Sequence, residues 1–299
     1  MSTSNPGSGS GAAPGEGGRD AAAGERTSLT SGSLPRIFKP RQTITEIYAQ
    51  RLLNLLDHLG VVAQISWRTL LVLFQRPLEF RQIVYQMEAV GVASVGLASV
   101  TAIFIGMVMA IQFAFGLQKF GGMEYTGRVI GLSFARELAP TLTAVIVGGR
   151  VAAGMAAEVG SMNVTEQVDA IRALGADPIK KIVLPRVIAS ILVMPVLSFF
   201  ALALGFLGAM AVTSSQFGIQ PGFFFNSALE SVNMRDLAAG MGKTPFFGYI
   251  IAVIGCHYGL QTRGGTEGVG RSTTSTVVAV SITILISDFF LTKLFMAVF

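Results

Sequence analysis

Residues 89 to 118 pass through thirty positions without one charged side chain. Few folds tolerate such a run. About 20 apolar residues are enough for a helix to cross the hydrocarbon core of a bilayer. In hydrocarbon a helix is also the simplest way for a segment to satisfy its own backbone N–H and C=O groups. The rest of the chain repeats the pattern, with apolar stretches at about 129–149, 187–213, 237–260 and 277–299. Hydrophobic residues make up 51% of the chain and charged residues 13%, against about 25% charged in a soluble domain. The mean hydropathy is +0.60. Thirty-five glycines suit membrane helices whose backbones approach closely. The expected fold is an all-α membrane protein with five transmembrane helices.

The flanks of these runs give an orientation. With the N-terminus in the cytoplasm, the inside flanks hold Arg68, Arg76, Arg81, Arg150, Arg172, Lys180, Lys181, Arg186, Arg263 and Arg271. The outside flanks hold only Lys119, Arg128 and Arg235. The excess belongs on the cytoplasmic side, which leaves the C-terminus outside. Basic residues scattered at run ends are membrane flanks rather than a nucleic-acid surface, despite the net charge of +5. Ahead of the runs, residues 1–42 are rich in Gly, Ser, Ala and Pro without apolar periodicity, so disorder is expected there. Residues 43–88 are expected to hold an interfacial amphipathic helix. Leu52, Leu55, Leu56, Leu59 and Val62 share one face, opposite Arg51, Asn54 and His58.

Some chemistries are excluded early. Cys256 is the one cysteine and His58 and His257 the two histidines, so neither a disulfide nor a histidine-based metal site is expected. The run GMGKT ends like a phosphate-binding loop. However, the first glycine of that signature would fall at 237, which is Leu237, and Pro245 follows at once. Lys243 is therefore read as a lysine within a membrane helix. Arg136, Glu137 and Lys243 all fall on the order of 10 Å below the outer surface at about 1.5 Å per residue, with Asp288 slightly deeper. Intramembrane charges usually turn inward and pair. The expectation is a buried cluster of Lys243, Glu137 and Asp288, with Arg136 free to attract a phosphate group. The plainer reading is that Lys243 snorkels to the surface.

Between the second and third runs lies GGRVAAGMAAEVGSMNVTEQVDAIRALGADPIKKIVLPR, the longest inside connection. Its middle reads as a short helix capped by Thr165, with Glu166 and Asp169 near the positive end of its dipole. Gly175 and Pro178 stop it. The segment DAIRALGADP…LP resembles the coupling loop of ABC importer permeases. More specifically, ARELAPTLTAVIVGGRVAAGMAAEVGSM, EQVDAIRALGADPIKKIVLPR and GVGRSTTSTVV resemble the MlaE family over roughly residues 45–299. Ala139 stands where that family's RELGP pattern has a glycine.

The resemblance implies a non-catalytic permease subunit, with residues 89–299 as its permease domain. It implies a homodimer that holds a phospholipid in a cavity between its two copies, in a bacterial inner membrane. A separate ABC ATPase, with its own ATP and magnesium, would drive it from below, and a ring of MCE-domain proteins would sit on the outer side. The coupling residues would be Glu158, Gly160, Glu166, Asp169, Arg172, Gly175, Pro178, Pro185 and Arg186. Arg136, Glu137, Lys243 and Asp288 would line the lipid cavity. An ion-coupled secondary transporter is the alternative use of the same buried charges.

Overall fold

The computed structural model describes residues 60–72 and 79–298, and all regular structure among them is helical. The expected disordered tail and most of the interfacial helix lie outside the described residues. The stretch Gly60–Val72 is a short apolar helix, α1, whose Ile65 joins the inner part of the core.

Five helical segments are long and apolar enough to cross a membrane. The first, α2 (Phe80–Gln118), has 39 residues and a length of about 58 Å. It begins nine residues before the apolar run, with Arg81 and Glu88 exposed. A helix does not stop where it leaves hydrocarbon, so hydropathy marks the embedded part and not the helix end.

The second span is composite. Helix α3 (Thr126–Ser133) passes through a π-helical turn at Phe134–Leu138 into α4 (Ala139–Val164). The expected end near residue 149 is corrected, because GGRVAAGMAAEVGSM is span and not loop. Its small residues bring α8 close. A Cβ on Gly148 would meet Ile251, one on Gly255 would meet Ala152, and one on Gly160 would come within 2.8 Å of Thr262 Oγ1. Helix α5 (Gln167–Ala173) is thus all that remains between the second and third spans. A second π-helical turn at Ile179–Val183 leads into α6 (Leu184–Phe217). The aromatic stretch between the apolar runs at 187–213 and 237–260 contains a further helix, α7 (Pro221–Ser231). There Pro221 starts the turn and Phe224 is buried against Phe206 at 5.1 Å. Helices α8 (Met234–Leu260) and α9 (Gly265–Val298) complete the chain.

Helices α4 and α8 are the most buried, and α9 packs on both while exposing Ile282, Leu285, Ile286, Phe289 and Phe290. Such exposed side chains suit a lipid-facing surface. Helix α2 lies along α6 at a seam of small residues. Gly106, Ala110 and Ala114 meet Ala201, Gly205 and Ala209, all buried. A Cβ on Gly106 would stand 2.0 Å from Gly205 O. Lipid gives helices no hydrophobic reason to associate, so close packing of this kind holds the bundle together.

Candidate functional site

The end of the bundle where α8 begins contains a charge cluster, and prolines explain part of it. Pro140 has no N–H, so the carbonyl of Arg136, four residues back, lacks its usual α-helical donor. The chain widens there into the π-helical turn Phe134–Leu138. Lys243 Nζ fills the gap by donating to Arg136 O at 3.3 Å. Pro245 likewise strips Met241 O of its helical partner, and Thr244 Oγ1 donates to that oxygen at 2.7 Å. Gly240 makes the approach possible, since a Cβ there would lie 1.9 Å from Ala135 O.

Lys243 is 1% exposed. Its ammonium stands 2.7 Å from Glu137 Oε2, 3.3 Å from Asp288 Oδ1 and 2.6 Å from Thr292 Oγ1. The Thr292 hydroxyl in turn donates to Glu137 Oε1 at 3.2 Å. Three elements therefore meet at one ammonium: the π-helical turn, α8 and α9. Snorkelling is not what this side chain does. Two carboxylates face one lysine.

Arg136 is not free as expected. Its guanidinium lies 3.6 Å from Asp236 Oδ1. Asp236 also accepts from the Asn233 backbone N–H in the capping box that opens α8. Thr292 and Asp236 were not singled out in the sequence. The signal for Thr292 is its place one turn after Asp288 on the same helix face.

The opposite end of the bundle, around α5, is built differently from the expected loop. Glu158 and Gly160 belong to α4, and Pro185 and Arg186 to α6. Glu158 and Arg186 tie the two helices together at 2.6 Å, and Arg186 also donates to Ile182 O at 2.7 Å. Only 6% of the Arg186 side chain is exposed. Thr165 does not cap α5. Its hydroxyl donates back to Ser161 O and closes α4, because Glu166 takes a left-handed conformation (φ 59°) between the helices. Gly175 (φ 76°) ends α5, and Asp177 Oδ1 accepts from the Ile179 N–H to start the next turn at Pro178. Val168 is fully buried and anchors α5, whereas Glu166, Asp169, Arg172 and Leu174 are exposed. Lys181 pairs with Glu79 and so joins the base of the third span to the head of the first.

Five helical segments long and apolar enough to cross a membrane define a multi-pass membrane protein. The family model for permease MlaE matches residues 83–294. A probable ABC transporter permease of Synechocystis sp. is 46% identical over 72% of this chain and 81% of its own. The Arabidopsis thaliana protein TRIGALACTOSYLDIACYLGLYCEROL 1, chloroplastic, is 38% identical over 77% of this chain and 66% of its own. A probable ABC transporter permease of Rickettsia bellii is 36% identical over 85% and 98%. The chain belongs to the MlaE permease family.

Proposed function

We propose that the chain is the membrane-spanning subunit of an ATP-driven transporter that moves phospholipids between an inner and an outer membrane. Two copies would hold the lipid between them, and a separate ATPase carrying ATP and magnesium would bind the cytoplasmic face. A ring of MCE-domain proteins would receive or supply lipid on the outer side, with the N-terminus cytoplasmic and the C-terminus outside. Family membership supports the class, and a plant relative named for a galactolipid supports a lipid cargo.

The observation that carries the coupling is α5. A free loop would absorb a push, but this helix is pinned through Val168 and set between Gly175 and the turn at Pro178. It can pass force to α4 and α6, which Glu158 and Arg186 tie together. The test is reconstitution of the full chain with its ATPase and MCE partner in vesicles. Lipid transfer that needs ATP, and stops without this chain, is the expected result. Transfer that runs without ATP overturns the proposal.

The Lys243 cluster favours a second reading, ion-coupled transport, because intramembrane charge pairs also serve ion pathways. Under that reading the chain purifies without an ATPase, and dissipating a proton gradient halts transport.

A further inference from the structure

Most cations inside the bundle have carboxylate partners: Arg136 has Asp236, Lys243 has Glu137 and Asp288, and Arg186 has Glu158. Arg150 differs. It is exposed and forms no ion pair among the described residues. Its depth follows from helix register. Gly148 packs on Ile251 and Ala152 on Gly255, so Arg150 is level with the middle of that stretch of α8. That level lies about 15 Å from Arg263 on the inner flank and about 27 Å from Arg235 on the outer flank. In a bilayer about 40–45 Å thick with its head groups, Arg150 belongs to the inner half of the hydrocarbon.

The side chain does not simply reach for water. Its Nη1 donates to Ser94 Oγ at 2.8 Å, and Ser94 is fully buried on α2. The anchor fixes the guanidinium at this depth. A guanidinium has five N–H donors, so four remain after the bond to Ser94. Along α4 toward the inner face, Ala153, Gly154 and Ala157 form an open stripe, and a Cβ on Gly154 would meet nothing within 4 Å. The space beside Arg150 is therefore open to an anionic group, and the exposed Glu158 closes it one turn beyond Gly154.

We infer that Arg150, held by Ser94, is a phosphate-recognition site that takes the phosphodiester of a phospholipid. The planar fork matches phosphate oxygens in pairs, which a point charge does not. Hydrocarbon around an exposed side chain at this depth favours a phosphate that arrives with acyl chains over inorganic phosphate leaving water. The inference rests on the lipid-permease reading above and adds a head-group contact about 15 Å inward of the Lys243 cluster.

The test uses the purified full chain in detergent, titrated with phosphatidylglycerol, with diacylglycerol of the same chains, or with inorganic phosphate. Bound ligand is counted by native mass spectrometry. Phosphatidylglycerol should bind the wild type, about tenfold more weakly R150Q, and at an intermediate level R150K and S94A. Diacylglycerol and inorganic phosphate should bind poorly throughout. Unchanged phosphatidylglycerol binding in R150Q overturns the site. If R150Q does not fold, unchanged binding in both R150K and S94A overturns it as well. Diacylglycerol binding as tight as phosphatidylglycerol removes the phosphate from the inference. Inorganic phosphate competing as well as the lipid makes the site one for free anion and overturns the lipid occupant. Absence of ATP-dependent transfer by the wild-type assembly sinks the proposed function while leaving these binding results readable.

Discussion

Lys243 is where the physics of single residues decides most. Its ammonium is removed from solvent and held by Glu137, Asp288, Thr292 and the carbonyl that Pro140 releases. Removing one partner of a buried pair strands the other, at a cost of about 3–5 kcal/mol for full burial. Glu137 keeps 39% of its side chain exposed and Asp288 only 18%, so solvent relieves Glu137 more. We predict that Lys243→Met destabilises the fold by about 3 kcal/mol. Adding Asp288→Asn should cost less than the two single changes summed, by about 1–2 kcal/mol, with a smaller coupling for Glu137→Gln. Denaturant unfolding in detergent measures both cycles, and strict additivity in both removes the cluster. The sequence announced the three charges, because each interrupts an apolar run at a similar depth. It did not announce that Asp236 claims Arg136, since that contact depends on how the π-helical turn rotates Arg136 toward the start of α8.

At the scale of elements, glycine separates the seams from the open faces. A Cβ on Gly106 meets the backbone of α6, and backbone cannot swing aside as a side chain can. Gly96, on the same helix, has nothing within 4 Å of a Cβ. Gly106→Ala should therefore lower stability by about 1–3 kcal/mol. Gly96→Ala should be neutral or stabilising by up to about 1 kcal/mol through helix propensity. Melting of the two variants side by side checks this, and equal effects would mean that the α2–α6 seam is not tight. Small residues four apart mark a packing face in the sequence at Gly106, Ala110 and Ala114, and again at Ala201, Gly205 and Ala209. Their mutual pairing was not legible, because small residues show where a helix is approached and not by which neighbour. The ends of α2 and α4 were misjudged for a related reason. Hydropathy reports the surrounding solvent, whereas α4 continues to Val164 because its small residues pack on α8 and α9.

For the whole molecule the two faces of the membrane have to be assigned, and the chain allows a clean assay. Its native Cys256 is fully buried, so introduced cysteines report alone. Leu174 after α5 is 85% exposed and Phe120 after α2 is 86% exposed, at opposite ends of the bundle. With the N-terminus inside, Leu174→Cys should label only from the cytoplasm and Phe120→Cys only from outside; the reverse pattern inverts the topology. On the inside face, α5 then meets the proposed ATPase. Its Asp169–Arg172 pair is largely solvated, with side chains 65% and 61% exposed, and exposed pairs contribute only about 0–1 kcal/mol. Reversing Glu166 and Asp169 to lysine should thus leave stability within about 1 kcal/mol of the wild type. The surface presented to the partner nevertheless changes by four units of charge. Like charges brought together at an interface cost several kcal/mol, and each 1.4 kcal/mol is tenfold in affinity. The double variant should therefore recover at least tenfold less ATPase on affinity purification, and ATP-dependent lipid transfer should fall with it. Recovery and transfer at wild-type levels, from a chain that melts normally, would place the coupling contact elsewhere on the cytoplasmic face.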